Sequence, residues 1–295
     1  MADTIRIFRS PQKQAEYYAA YDAMLARWPV PYQELYIPTH YGRTHVIASG
    51  ARSSRALILL HSAGSGAVQW FRNIGPLSER RRTFAVDVIG EVNRSITERR
   101  LAERAEFVEW MRDLLDGLEV ERADWVGNSF GGMLVCMAAL DLPERVGKIV
   151  LISPAATFTQ IWAWYSHLGF PYKIGYRLGW RRLMLSGYRW LWQGFPRDDL
   201  FARYSELGKT NGFPANQLAP PVYSDAELRS LCSPVLLLIG DHEVIYDPAR
   251  VMARARRLVG KLRAELVPDA NHNAQVTAPE PVNRMILEFL EGDTH

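Results

Sequence analysis

The sequence predicts an α/β fold in which helices flank a mostly parallel central sheet. Short apolar runs alternate with segments of helical spacing, and most of these runs are almost continuously apolar, as in parallel strands buried on both faces. The 295 residues are also sufficient for one large domain or two small ones. The runs lie at residues 57–61, 84–88, 124–127, 148–153 and 234–240, and an alternating run at 263–268 is a sixth candidate strand.

Helical spacing fills the intervals between these runs. Residues 11–26 place Tyr17, Ala20, Tyr21 and Met24 on one side of a helix, which we expect to pack on the sheet or on the segment that covers it. Apolar residues recur with the same period at 101–118, 133–140 and 282–290. Helices are therefore expected at all four places.

Residues 154–233 break the alternation, since they contain no strong strand run. Aromatic residues are dense there, at near-helical spacing over positions 172, 176, 180, 188 and 192, and no Asp or Glu lies between Arg145 and Arg197. We predict a helical lid over the edge of the sheet, and Pro171 and the glycines at 175, 179 and 187 favour broken helices. The expected division is an N-terminal helical segment (1–34), a first core part (35–153), this lid or cap (154–233) and a second core part (234–295).

Composition and charge exclude several classes of protein. A formal net charge of +3 is too small to indicate a nucleic-acid partner. No apolar run approaches the roughly 20 residues of a membrane helix, so stable membrane insertion is not expected. Cys136 and Cys232 form neither a disulfide framework nor a metal-binding pattern. Charged residues within 1–10 argue against a secretory signal, so we expect a cytoplasmic protein. Nothing in the sequence indicates an oligomeric state.

The segment 126–132 (VGNSFGG) indicates chemistry. It contains G-x-S-x-G centred on Ser129, follows a strand run and precedes an apolar helix, which is the context of a nucleophile elbow. Glycines two residues on either side let the neighbouring strand and helix approach closely. The Ser129 hydroxyl would then stand clear of the backbone, at the positive end of the following helix.

A serine hydroxyl of ordinary pKa needs a base, and in this fold the base follows the acid and the serine along the chain. The histidines after Ser129 are His167, His242, His272 and His295. His167 falls in the predicted lid, His295 is the last residue, and His242 lies where the acid is expected. We therefore expect His272, on the loop between the last strand run and the final helix, to be the base.

The acid is expected on a loop after a late strand. The loop after 148–153 has no carboxylate, whereas the loop after 234–240 offers Asp241, Glu243 and Asp247. The usual position, three residues beyond the strand-ending glycine, is Glu243, which can hold the imidazole in the required tautomer. Glu243 is favoured, Asp241 is the alternative, and Asp247 is the weakest candidate.

Oxyanion stabilisation requires backbone N–H groups from two loops. One is expected from Phe130, directly after the nucleophile. The other is expected from the glycine-rich loop after the first predicted strand, where Ala63 is the best placed residue. Families with a nucleophile elbow often have glycine at the position of Ser62, so this residue is a departure from their pattern.

On these residues the chain resembles the α/β-hydrolase superfamily over about residues 35–290. Within it, segments 87–90 (DVIG), 93–95 (NRS), 127–132 (GNSFGG) and 240–246 (GDHEVIY) resemble bacterial carboxylesterases of the naproxen-esterase kind. The resemblance implies a glutamate as the triad acid, a helical lid, and hydrolysis of small-molecule esters without a metal or organic cofactor.

The expected function is therefore a serine carboxylesterase acting on esters with an apolar acyl or alcohol group. A carbon–carbon bond hydrolase or an acyltransferase could use the same triad, and the basic aromatic lid leaves open a lipase acting at interfaces. Epoxide hydrolases and haloalkane dehalogenases need a carboxylate where this chain has Ser129. A ligand receptor without catalysis is the alternative from another class of protein.

Overall fold

The computed structural model describes residues 5–161, 171, 174–175, 178–192, 198–216 and 218–292. Within them one sheet has nine strands. The strands are β1 (Tyr32–Thr39), β2 (Gly42–Ser49), β3 (Ala56–Leu60), β4 (Arg82–Val86), β5 (Ile96–Thr97), β6 (Ala123–Asn128), β7 (Val146–Ile152), β8 (Val235–Gly240) and β9 (Leu262–Val267). Their order is β1-β2-β4-β3-β6-β7-β8-β9, with β5 paired to β2. Neighbouring strands are parallel in the part of the sheet ordered β4-β3-β6-β7-β8-β9. Strand β2 runs antiparallel to β1, β4 and β5.

Helices cover both faces of this sheet. They are α1 (Pro11–Leu25), α2 (Ile74–Arg80), α3 (Arg104–Gly117), α4 (Phe130–Asp141), α5 (Arg181–Met184), α6 (Ser186–Leu191), α7 (Asp199–Thr210), α8 (Asp225–Ser230), α9 (Pro248–Leu258), α10 (Ala274–Thr277) and α11 (Pro279–Glu291), with a 3-10 helix at Ala67–Arg72. Residues of α3, α4 and α9 pack in one core with Ile58 and Leu60 of β3. Residues of α1, α2 and α11 pack in the other with Leu57 and Leu59. The predicted α/β architecture is confirmed.

All six predicted strands are present, at β3, β4 and β6 to β9, and the four predicted helices are α1, α3, α4 and α11. Helix α3 starts three residues later than its apolar period suggests. Glu103 caps it, accepting from the backbone of Glu106 while the Glu106 side chain accepts from the backbone of Glu103. Helix α1 begins where Ser10 caps it by accepting from the Lys13 N–H.

The hairpin of β1 and β2 was not predicted from the sequence. Strand β1 is at the edge of the sheet and mostly exposed, so it carries little apolar signal, and it begins inside the segment expected to be helical. Strand β2 is buried but contains polar Thr44 and His45. Each is satisfied by a distant partner, since Trp110 donates to Thr44 over 2.8 Å and His45 contacts two carboxylates. The local spacing of apolar residues gives no information about such long-range hydrogen bonds.

Short helices occupy the described part of the predicted lid. Helices α5 and α6 have four and six residues, while α7 has twelve and packs against α1, where the Tyr17 and Tyr204 hydroxyls lie 2.9 Å apart. Of the aromatic stripe, Trp180 is exposed and Trp192 is buried. Positions 172 and 176, the side chain of Tyr188, and His167 and His295 lie outside what the structure describes. Among described helices, none combines the length and apolar character needed to cross a bilayer.

Candidate active site

Ser129 lies at a sharp turn between β6 and α4. Its backbone has φ 54° and ψ −115°, a region that L-residues rarely occupy, and strain of this kind persists only where the surroundings enforce it. Here the Ser129 N–H donates to the carbonyl of Ile152 in β7, and the Ser129 carbonyl accepts from Met133 and Ala155. The predicted elbow is therefore held by its own helix and by the neighbouring strand.

The two glycines of the motif are required by close backbone approach. A Cβ atom at Gly127 would lie 2.3 Å from the carbonyl oxygen of Gly131, and one at Gly131 would lie 2.2 Å from that of Leu60. The N–H of Gly131 donates to the carbonyl of His61 over 3.1 Å. The glycines thus let α4 lie directly on the end of β3 and bring the loop after β3 beside Ser129.

His272 and Glu243 meet Ser129 at this edge of the sheet. His272 Nε2 lies 2.8 Å from Ser129 Oγ, and His272 Nδ1 lies 2.8 Å from Glu243 Oε2. Both side chains are buried, whereas Ser129 is partly exposed. The loops that carry His272 and Glu243 touch at Gly240, where a Cβ would lie 2.3 Å from the carbonyl of Ala270. Three residues that are distant in sequence therefore form one hydrogen-bonded chain.

Several groups around Glu243 stabilise its ionised carboxylate. Burial by itself raises the pKa of Glu243, but the charge and hydrogen bond of His272 and the backbone N–H of Ile245 outweigh it and lower the pKa below its ordinary value. The second oxygen, Oε1, accepts from the N–H groups of Val244 and Ile245 over 2.8 and 3.0 Å. Glu243 is thus fixed by its own loop and aimed at His272 Nδ1.

The alternative acids lie elsewhere. Asp241 is exposed, and its two oxygens accept from the N–H groups of Asp269 and Ala270, so it joins the loops that carry Glu243 and His272. Asp247 caps α9 by accepting from Ala249. Asp241 also lies with His242 and Asp269 in a group whose spacing could hold a metal ion, but all three are exposed and Asp241 already accepts from the backbone. The carboxylates of Asp241 and Asp247 thus accept from backbone N–H groups, whereas that of Glu243 pairs with His272.

The loop after β3 also has a defined geometry. His61 is buried, donates from Nδ1 to the carbonyl of Ser62 and accepts from the Val88 N–H at Nε2, so both ring nitrogens hold the backbone of this loop. The N–H of Ala63 has no hydrogen-bond acceptor among the described residues. The same holds for the N–H of Phe130, the first residue of α4. These are the two N–H groups that the sequence predicts for an oxyanion.

A buried amide pair beneath the site was missed by the sequence analysis. The Gln69 oxygen accepts from the N–H and the hydroxyl of Ser62, and its amide donates to Asn128 Oδ1 over 3.0 Å. The Asn128 amide in turn donates to the carbonyls of Ile152 and His272. Asn128 stood inside the recognised motif, but no spacing pointed to Gln69. Together, Gln69 and Asn128 join the loop after β3, the elbow and the loop that carries His272.

Comparison with known proteins gives the same fold. The family profile described as alpha/beta hydrolase fold matches residues 55–204, about half of the chain. The chain belongs to the α/β-hydrolase family. This α/β hydrolase is 36% identical to carboxylesterase YbfK of Bacillus subtilis over 292 residues, covering 97% of both chains. It is 35% identical to an uncharacterised carboxylesterase, nap, of Bacillus subtilis, over 94% of this chain and 93% of that protein.

Solved structures agree with these sequence relatives. The crystal structure of the B. subtilis YbfK carboxylesterase matches 96% of this α/β hydrolase and 99% of that chain, with a TM-score of 0.87 and 36% identity. Naproxen esterase from Bacillus subtilis matches 96% of this chain and all of that one, with a TM-score of 0.87 and 33% identity. The predicted fold and the predicted resemblance to bacterial carboxylesterases are confirmed.

Proposed function

We propose that this α/β hydrolase cleaves carboxylic esters through an acyl-enzyme on Ser129, with His272 as the base and Glu243 as its orienting acid. Ester hydrolysis is the activity that the carboxylesterase relatives support over nearly the whole chain. The observation that carries the assignment of residues is the unbroken chain from Ser129 Oγ to His272 to Glu243, with 2.8 Å at each link. Nucleophile, base and orienting group within hydrogen-bond reach are the geometric signature of an activated serine.

Acylation proceeds as follows. Ser129 Oγ bonds to the ester carbonyl carbon while its proton passes to His272 Nε2, and the carbonyl π electrons move to the oxygen. The bond between this carbon and the leaving alkoxy oxygen then breaks, and the His272 imidazolium protonates that oxygen to release the alcohol. Glu243 stabilises the imidazolium without taking its proton.

Deacylation repeats the same steps with water. His272 takes a proton from water as the water oxygen attacks the acyl carbon, and the bond to Ser129 Oγ breaks as His272 returns the proton to it. The products are a carboxylic acid and a free serine. In both steps the N–H groups of Phe130 and Ala63 bind the negative oxygen, and one such donor accounts for about 3–4 kcal/mol in related enzymes.

The substrate proposed is a small ester with an apolar acyl or alcohol group. Residues 154–233 form the proposed cap, and their sequence is rich in aromatic residues. Apolar walls exclude water without requiring polar partners in the substrate. We place the protein in the cytoplasm, where the free thiols of Cys136 and Cys232 stay reduced. Neither nucleic acid nor a metal enters this scheme.

A preference for aggregated esters is a second candidate, carried by one exposed surface. Leu178 and Trp180 are exposed by half or more, beside the exposed arginines 181 and 182. A lipid–water interface fits such a basic, apolar surface. Rates on a monomeric and a micellar ester at equal substrate concentration separate the two: a rate increase above the critical micelle concentration indicates a lipase.

The test of the proposal is Ser129→Ala with Ser230→Ala as the matched control. Ser230 is exposed on α8, and its hydroxyl donates to the Glu227 carbonyl. We expect Ser129→Ala to lose at least roughly 10³-fold in kcat on p-nitrophenyl esters and to lose labelling by a fluorophosphonate, with its fold intact. Ser230→Ala should retain both. Turnover retained by Ser129→Ala, or a wild-type protein that the probe does not label, would rule out the serine mechanism and leave a receptor or another chemistry.

A further inference from the structure

Three consecutive backbone N–H groups of the loop after β3 differ in their hydrogen bonding. The Ser62 N–H donates to Gln69 and the Gly64 N–H donates to Glu91 Oε2 over 2.7 Å, while that of Ala63, between them, has no acceptor in the described part of the chain. Because each peptide unit is planar, fixing the units on both sides sets the dihedral angles that aim the Ala63 N–H. Glu91 is therefore one of two anchors for this group.

Glu91 also contacts the proposed cap. Its other oxygen, Oε1, accepts from Asn216 Nδ2 over 2.7 Å, and the side chain is 2% exposed. The preceding residue, Gly90, has φ 81°, and its carbonyl accepts from the Ala215 N–H over 2.6 Å. A Cβ at Gly90 would lie 3.0 Å from the Asn216 nitrogen, so segment 215–216 is packed directly on it. One carboxylate thus bridges the cap and the loop beside Ser129.

Helix α7 closes the other side of the same loop. A Cβ at Gly208 would lie 2.6 Å from the Gly64 carbonyl, and one at Gly64 would lie 3.4 Å from Lys209 Nζ. Burial lowers the pKa of Lys209 to about 8, against the opposing effect of the negative charges of Glu91 and Glu206. The loop is therefore enclosed by cap residues on this side as well.

We propose that Glu91 is a positioning residue for the oxyanion hole, which couples the cap segment 215–216 to the orientation of the Ala63 N–H. This inference rests on the proposed function, because it takes the Ala63 N–H as a donor to the oxyanion. Glu91 itself does not touch the reacting atoms. The Ala63 N–H that Glu91 orients binds most strongly when negative charge develops on the substrate oxygen. Loss of Glu91 should therefore affect the transition state more than substrate binding.

The experiment uses the full chain with four variants. Glu91→Ala removes both contacts, Glu91→Gln keeps an oxygen that can accept from Gly64, and Asn216→Ala removes only the cap contact. Glu79→Ala, an exposed glutamate on α2, is the control. For each we measure kcat and KM on p-nitrophenyl butyrate, the melting temperature, and inhibition by an alkylboronic acid, whose tetrahedral adduct with Ser129 places an oxygen in the oxyanion hole.

We expect Glu91→Ala to lower kcat by roughly 10- to 100-fold. A misplaced Ala63 N–H loses less transition-state stabilisation than a deleted one, but the loss is still large. The boronic acid should bind more weakly by a similar factor, with KM within about threefold of wild type. Glu91→Gln should regain most of the loss, and Asn216→Ala should show a smaller loss of kcat with the same sign. If Glu91→Ala does not fold, these two variants carry the test.

Three results would overturn the inference. They are a folded Glu91→Ala with the kcat of Glu79→Ala, a loss of kcat with unchanged boronic acid binding, and a Glu91→Gln as impaired as Glu91→Ala. Fluorophosphonate labelling of wild-type Ser129 separates this failure from that of the proposed function. A labelled wild type with an unaffected Glu91→Ala rejects only the role of Glu91, whereas an unlabelled wild type rejects the serine mechanism itself.

Discussion

The side chain of Asn128 donates a hydrogen bond to the main-chain carbonyl of His272 over 3.1 Å. Asn128 is the last residue of β6, directly before Ser129, so this contact fixes the proposed base loop, which carries His272, relative to the elbow. The same amide donates to the Ile152 carbonyl, and Asn128 Oδ1 accepts from Gln69. Asn128 is completely buried, where each of these groups would be costly to leave without a partner.

Replacement of Asn128 by Asp should therefore impair both stability and catalysis. The new oxygen would face the carbonyls of Ile152 and His272, and we expect a loss of roughly 2–3 kcal/mol in the free energy of unfolding. The kcat should fall roughly tenfold or more because the base loop shifts. Urea unfolding and ester kinetics check the two effects.

The matched control is Asn283→Ala. Asn283 is also buried, donates to the Arg72 carbonyl and accepts from Asn73, so these hydrogen bonds do not involve Ser129, His272 or Glu243. It should lose comparable stability while kcat stays near that of wild type. If both variants lose kcat equally, the Asn128 contact has no special role in positioning His272.

The choice of acid is tested by replacing Glu243 and Asp241 separately. Glu243→Ala should lower kcat by roughly 10³- to 10⁴-fold, because His272 loses the group that fixes its tautomer. Asp241→Ala removes the acceptor of the Asp269 and Ala270 N–H groups, so we expect a melting temperature lower by roughly 2–4 °C. Its kcat should stay within about tenfold of wild type. A larger kcat loss from Asp241→Ala would reverse the assignment.

The two adjacent glycines of the elbow should respond differently to alanine. A Cβ at Gly131 would lie 2.2 Å from the Leu60 carbonyl oxygen, so Gly131→Ala must displace β3 or α4. We expect it to lose roughly 3 kcal/mol or more and most activity. At Gly132 the nearest atom lies at 3.0 Å, so Gly132→Ala should cost about 1 kcal/mol. Thermal melts and kcat give the comparison, and equal effects would contradict the close approach at Gly131.

Stability should depend on pH through His45, which is buried between two carboxylates. His45 Nδ1 and Nε2 each lie 2.9 Å from a carboxylate oxygen, of Asp87 and Glu34 respectively. Tyr21 donates to Asp87, and Arg94 pairs with both Glu34 and Asp22. Burial lowers the pKa of His45, but Asp87 and Glu34 outweigh it and raise the pKa above its ordinary value. Burial likewise raises the pKa of Asp87, yet His45 and the Ala67 N–H bring it below its ordinary value.

The signs of these shifts define the pH window. A raised histidine pKa contributes stability that is complete below the unfolded value of about 6.5 and is lost as pH rises through the folded value. A lowered aspartate pKa contributes stability above about 3.9 that is lost as pH falls through the folded value. The pair should thus stabilise most between these limits.

His45→Gln tests this window against His242→Gln, an exposed control. At pH 5.5 we expect His45→Gln to lose about 3–5 kcal/mol in the free energy of unfolding, because Asp87 is left buried without its cation. The difference from wild type should shrink as pH rises through the raised pKa of His45. Urea unfolding at several pH values measures it, and a difference that does not change with pH would contradict a charged His45. His242→Gln should change the free energy of unfolding by no more than about 1 kcal/mol, since its contact with Asp241 is exposed.

The sequence by itself determined the parallel strands, their flanking helices and the identity of the elbow. Continuous apolar runs and helical periods are local signals, and the G-x-S-x-G spacing expresses backbone contacts within a few residues, such as that of Gly127 with Gly131. Chain order and loop position then singled out His272, and placed Glu243 ahead of Asp241. The β1–β2 hairpin was missed because its buried polar groups are satisfied by residues far along the chain.

Only the tertiary structure decided which carboxylate meets His272. Glu243 and Asp241 are two residues apart on one loop, and their backbone hydrogen bonds turn one carboxylate towards the imidazole and the other towards the backbone of the base loop. The contacts of Gln69 and Glu91 were likewise invisible in the sequence, because they are made to N–H groups of a loop that folding brings to them. Local patterns encode elements and turns, whereas partners for buried polar groups are set by the packing of distant segments.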